Sequence, residues 1–301
     1  MRIPPAVLVL GIALILDISI REWPEHVHPV VIYGAIVAHF DRDWKRPTLV
    51  GILIAGVLPL LAAVIGGLGI QILLQWNQRG GILLGGFILF STISLQLLLA
   101  VGKTVSMHIA KDLDSAREDV SALVGRDAET LGPVELYSAI IESLAENLCD
   151  GFIAPLFAFV VGSQISLSVG VAAAIWIKAV NTLDSMLGYH HKPVGWASAR
   201  LDDIVMWVPA RVTAVLIGFA SLQPRAPLRA REWSQHPLSP NAGWPMATMA
   251  VVLGVELRKP DEYVLHSGAR QPTGADTRSA LHITGLSGWF GVLLAGVFVW
   301  F

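Results

Sequence analysis

Glu142 and Glu146 stand four residues apart, with Asn147, Asp150 and Gly151 just behind them. On a helix the two glutamates share one face. An apolar run begins at Phe152, and acids at the edge of a bilayer-length apolar segment are costly enough to point to function. Three more polar clusters follow. The first joins Lys178, Asn181, Asp184 and Tyr189; the second joins Arg200, Asp202 and Asp203 and runs into Pro209-Ala-Arg211; the third is Ser239-Pro-Asn241-Ala-Gly243. A weaker group lies early, at Asp17 and His26-Val-His28-Pro29.

Each cluster also has a plainer reading. Glu142 and Glu146 alone could form a solvated helix face. Asp202 and Asp203 could cap and charge the first turn of a following helix. Ser-Pro-Asn-Ala-Gly is a turn-forming sequence, and His28 before Pro29 reads as a loop histidine. Arg211 is harder to set aside. Inside an apolar run an Arg costs at least ~2.5 kcal/mol and calls for a carboxylate partner or an anionic ligand. No His or Cys pair has zinc spacing, and no glycine-rich phosphate or dinucleotide loop is present. What favours function is recurrence: acids, amides and arginines return at the ends of apolar segments.

The elements that must position these residues are membrane helices. The chain is 54% hydrophobic and 15% charged, against roughly 25% charged for a soluble protein, and its mean hydropathy is +0.61. A net charge of −2 without a basic patch excludes nucleic acid as a partner. The single cysteine, Cys149, excludes an internal disulfide framework. The candidate membrane segments are 4–20, 48–74, 81–101, 152–180, 204–222 and 284–301. The fourth is interrupted by Gly162-Ser163-Gln164, and its halves are too short to cross singly. The fifth is interrupted by Pro209 and Arg211. The first is read as a span, not a cleaved signal. The pattern predicts an all-α polytopic integral membrane protein of four to six segments, some re-entrant, forming one membrane-embedded domain over 1–301. Amphipathic cytoplasmic helices fill 102–150, one starting at Pro133 and ending at Gly151. Arg21, Arg42, Lys45 and Arg46 in one loop, and Lys103, Lys111, Arg117 and Arg126 in another, orient the acidic site to the cytoplasm in a multi-pass cell-membrane protein.

Taken in order, the clusters resemble the CobD/CbiB family, the adenosylcobinamide-phosphate synthases of cobalamin (vitamin B12) biosynthesis. The matching stretches are His28-Pro-Val-Val-Ile-Tyr-Gly34, Glu142 to Gly151 with Ala154-Pro-Leu-Phe157, and Asn181 to Tyr189. Ala199 to Asp203, Pro209-Ala-Arg211 and Ser239 to Gly243 complete the series. The resemblance covers nearly the whole chain, and the combination is specific although no single motif is.

The resemblance implies a carbon–nitrogen ligase. It would join a propionate carboxylate of adenosylcobyric acid to the amine of aminopropanol phosphate, or of aminopropanol, giving adenosylcobinamide phosphate. ATP is the expected cosubstrate, since a carboxylate oxygen is a poor leaving group and an acyl phosphate repairs that; Mg²⁺ would screen the phosphates. The resemblance implies that Glu142, Glu146, Asp150, Asp184, Asp202 and Asp203 are the catalytic acids, with Glu146, Asp150, Asp202 and Asp203 as Mg²⁺ ligands. Arg200, Arg211 and Lys178 would take phosphate oxygens, and Asn147, Asn181 and Asn241 would orient corrinoid amide or carboxylate groups. His28 and Tyr189 complete the substrate-binding set. Membrane lipid and both substrates are the implied partners; other proteins of the pathway and a second copy of the chain stay open.

Three positions depart from the family pattern. Asp17 is not followed by a Gly-Asp-Pro-like stretch, Met206 replaces an Asn, and Arg258-Lys259 replaces a Gly pair. Two rival readings are a non-catalytic sensory or regulatory protein of the same fold, and a CDP-alcohol phosphotransferase. Asp150-Gly-Phe-Ile-Ala-Pro155 resembles the latter only superficially. A transporter would need paired, repeated halves, and none is visible.

Overall fold

A computed structural model describes residues 3–21, 23–124, 131–188 and 192–301. It is an all-α polytopic membrane protein. In chain order the helices are α1 (Pro5–Ser19), α2 (Pro29–Ala38), α3 (Pro47–Trp76), α4 (Gln78–Thr92), α5 (Leu95–Lys111), α6 (Leu113–Val124) and α7 (Pro133–Leu148). A π turn, Cys149–Ile153, leads into α8 (Ala154–Ser163), followed by α9 (Leu167–Leu187), α10 (Trp196–Val205), α11 (Trp207–Ala220), α12 (Ala226–Ala230) and α13 (Gly243–Leu253). An antiparallel hairpin, β1 (Leu257–Lys259) and β2 (Tyr263–Leu265), precedes α14 (Gly274–Trp300).

The starts and stops have local causes. Proline occupies the first turn of α1, α2, α3 and α7, where its missing N–H costs nothing. Asn77 caps α4 by accepting from the Gly80 N–H at 3.1 Å, and Ser166 caps α9 by accepting from Val169 at 3.2 Å. Gly254 ends α13 at φ +65°, a left-handed conformation that costs a glycine nothing.

Among the described residues five helical stretches are long and apolar enough to cross a bilayer: Pro47–Trp76, Gln78–Lys111, Pro133–Ser163, Leu167–Leu187 and Gly274–Trp300. The broken pair Pro193–Val205 and Trp207–Ala220 would make a sixth. Leu53, Leu60, Ile65 and Leu68 are all more than half exposed along α3, a stripe that fits lipid and not water.

Two sequence expectations change here. The break at 164–166 is present, but its flanks are not half-spans. The first flank is continuous with α7 through the π turn, and the second runs on to Leu187. Gly151 therefore lies inside a helical path and does not end one. The reason is that polar residues at 133–150 and 181–187 extend each apolar half, so length could not be read from hydropathy alone. Secondly, Asp202 and Asp203 sit late in α10 and not at a helix start, so the capping reading fails.

The chain forms two compact units. The first comprises 1–94, 150–206 and 292–301; α9 packs on α2, α3, α4, α8 and α10 within it, and α1 packs on α4. The second comprises 95–149 and 207–291; there α7 packs on α5, α6, α13 and β1, and α13 on α11 and α12.

Candidate active site

In the first unit the site begins on one face of α9. Lys178, Asn181 and Asp184 recur every third residue, which keeps them on one side of the helix. The Asn181 side-chain amide donates to Asp150 Oδ2 at 3.2 Å, linking α9 to the π turn. The same side chain hydrogen-bonds Asp202 of α10, and Asp150, Asp184 and Asp203 all lie within electrostatic reach of Asp202. Lys178 lies within electrostatic reach of Asp150. Asp202 is only 8% exposed, and its Oδ1 has no hydrogen-bond partner among the described residues. A buried polar atom left so carries a cost of about 1–3 kcal/mol.

The approach of α10 to α9 depends on Gly195. A Cβ there would strike the Leu187 carbonyl, so only glycine lets the chain turn back against the end of α9. Asp203 Oδ2 accepts from Arg200 Nη1 at 3.2 Å, on the exposed side of α10. Met206, where the family pattern has Asn, is 1% exposed and packs with Ala154 and Ile177. An apolar contact thus occupies that position. His28 accepts from the Val30 N–H at 3.1 Å and caps α2. Tyr189 lies outside the described residues.

The second unit holds the remaining candidates. Glu142 is 3% exposed, which rules out the solvated-face reading for it. It accepts from Ser138 Oγ at 2.8 Å and from Tyr263 Oη at 3.1 Å. Ser138 Oγ in turn accepts from the Arg258 N–H at 2.6 Å, so one buried network ties α7 to the hairpin. Tyr263 was missed from the sequence. Its only local signal is the short alternation across the hairpin, which carries no polar motif. Glu146 and Asn147 are half-buried on α7, and the Asn147 amide nitrogen donates back to Ser143 O and Oγ, each at 3.0 Å.

Arg211 is half-buried and pairs with no carboxylate among the described residues. Its guanidinium lies 4.4 Å from the Trp207 ring centroid and 5.0 Å from that of Trp244. Nη1 donates to the Trp207 carbonyl at 2.9 Å and to Asn241 Oδ1 at 2.7 Å. Asn241 is buried, and Ser239 Oγ accepts from its N–H and from that of Ala242, both at 3.3 Å. The turn-forming stretch therefore orients the arginine. Two aromatic faces and two acceptors hold the fork, and among the described residues no acceptor meets Nε or Nη2.

Among the described residues no three His, Cys, Asp or Glu side chains form a metal cage. Mg²⁺ does not require one, since it is commonly held by one or two carboxylates plus water and phosphate. The oxygen-only donors around Asp202, with its unpartnered Oδ1, suit that mode.

A model of the CobD/Cbib protein family matches residues 10–286. The chain belongs to the CobD/CbiB family. The probable cobalamin biosynthesis protein CobD of Methanothrix thermoacetophila is 36% identical over 304 residues, covering 96% of this chain and 95% of that protein. The cobalamin biosynthesis protein CobD of Rhodobacter capsulatus is 36% identical over 302 residues, with 90% of each chain covered. The probable CobD of Pyrococcus furiosus is 35% identical over 282 residues, covering 91% of this chain and 92% of that one. No solved structure matches. As a CobD/CbiB member the chain is a membrane protein of cobalamin biosynthesis, and the phosphotransferase resemblance lapses.

Proposed function

We propose that the chain is an amide ligase that joins a propionate carboxylate of adenosylcobyric acid to the amine of aminopropanol phosphate or aminopropanol, at a site facing the cytoplasm. The observation that carries the reading is the gathering of Asp150, Asp184 and Asp203 near Asp202 in the first unit, with Asn181 hydrogen-bonded to Asp150 and Asp202. Acids crowded in this way repel one another and are stabilised by a bound cation.

Mg²⁺-ATP, when bound, supplies a phosphoryl group that turns the carboxylate oxygen into a leaving group. Asp202 and Asp150 would hold the cation, and Asn181, bonded to both, sets their spacing. Lys178 offsets part of the negative charge of the cluster. Arg211, held by Trp207, Trp244 and Asn241, would bind a phosphate in the second unit. One of the acids would take the proton that the attacking ammonium must lose. Glu142, enclosed by Ser138 and Tyr263, supports the fold around α7 more directly than it serves a ligand.

The test is to incubate purified protein with adenosylcobyric acid, aminopropanol phosphate and Mg²⁺-ATP and to follow the mass of adenosylcobinamide phosphate. Parallel reactions with aminopropanol identify the preferred amine. Well-folded protein that yields neither product under varied detergent and lipid would return the chain to the non-catalytic reading.

A further inference from the structure

The first unit contains a cavity of about 260 Å³ lined by α2, α3, α4 and α9. Its lining is almost wholly apolar, with Ala62, Ile65 and Gly66 on one wall and Ile175 and Ala179 on another. Ala62 to Gly66 fall in the middle of the 30-residue helix α3, at the middle of a candidate span. Ile65 at the rim is 70% exposed and continues the apolar stripe of α3, so the cavity opens on a face that fits lipid.

Besides three hydroxyls bonded within their own helices, two polar groups interrupt this lining. Lys178 is one. Tyr33 is the other, and its buried hydroxyl has no hydrogen-bond partner among the described residues. The hydroxyls of Ser91, Thr92 and Thr182 donate to carbonyls of their own helices at 2.7–2.9 Å and so are already occupied as donors. A ligand here must therefore be mostly alkyl and must end in an oxygen acceptor. The volume is below the roughly 300–1,000 Å³ of drug-sized sites, which suits a narrow chain and excludes a corrin macrocycle.

We propose that this cavity binds a long-chain carboxylate from the bilayer, its alkyl chain against Ala62, Ile65 and Ile175 and its carboxylate accepting from Tyr33 Oη and Lys178 Nζ. An unpartnered buried hydroxyl is costly, and a bound oxygen removes that cost. The site shares Lys178 with the acidic cluster of the ligase reading but goes beyond that reading, since it needs neither the acids nor ATP.

Oleic acid is the probe, titrated into the delipidated full-length protein and followed by native mass spectrometry. One bound oleate is expected. Ala62→Leu, which fills the cavity, should weaken binding by at least about tenfold. Tyr33→Phe, which removes a single donor, should weaken it by about fivefold. Methyl oleate should bind more weakly than the acid, because its headgroup carries no charge. Equal oleate affinity in parent and a folded Ala62→Leu would overturn the proposal, and so would displacement of oleate by adenosylcobyric acid. Should Ala62→Leu not fold, unchanged affinity in Tyr33→Phe would overturn it instead.

Discussion

Asn181 donates to Asp150 Oδ2 at 3.2 Å and also hydrogen-bonds Asp202, so one amide sets the spacing of two acids from different helical segments. An amide suits this position because it adds no charge to a crowded acidic group. Asn181→Asp would add a further carboxylate and remove the donor. Turnover is expected to fall by at least about 100-fold, the scale of losing a positioning contact at a reacting centre. Steady-state kinetics of folded protein check this, and activity within a few-fold of the parent would sink the assignment.

Asp202 separates function from stability. Asp202→Asn keeps the shape while removing the carboxyl group that three other acids lie near. The melting temperature in detergent should hold or rise, and Mg²⁺-dependent activity should be lost. Loss of both together would make Asp202 a structural residue.

Tyr263 and Glu142 should behave as a coupled pair. Removing the hydroxyl with Tyr263→Phe strips a donor from a buried carboxylate, at a cost of about 1–3 kcal/mol. Glu142→Gln should remove most of that sensitivity. A double-mutant cycle on unfolding measures the coupling, and additive effects would show that the 3.1 Å contact carries little energy.

Arg211→Lys keeps the charge but loses the planar fork that lies against Trp207 and Trp244. If Arg211 holds phosphate, the KM for a phosphorylated substrate should rise about tenfold while that for a substrate lacking phosphate stays put. Equal changes for both would remove the phosphate role.

Glu256 offers a pH test outside the membrane segments. The Gly268 N–H, at 2.9 Å, holds its pKa below the ordinary glutamate value, with Arg258 adding to the effect. A folded pKa below the unfolded one contributes stability that is fully present above the unfolded value of about 4.3. That contribution fades as pH falls through the folded value. Glu256→Gln should therefore be less stable than the parent at pH 7, and the gap should close on acidification. A gap that persists at low pH would point to packing instead.

Some of this was legible in the residues alone. Apolar length and low charge determined a polytopic helical protein, and the order of the polar clusters determined the family. Pro133, Asn181, Asp184 and the Ser239–Gly243 turn were all visible as local chemistry, because caps, helical spacing and turn residues act over a few positions. Tertiary structure decided what lies far apart in the chain. Glu142 became a buried partner of Tyr263, 121 residues away, and Arg211 met Asn241, 30 residues away. Met206 proved an apolar contact, and the run through Gly151 proved continuous through a π turn. Burial and pairing depend on which helices meet, and hydropathy along one helix does not encode its neighbours. The sequence by itself therefore determined the class, the family and the acids to watch; packing alone decided which of those acids share a hydrogen bond.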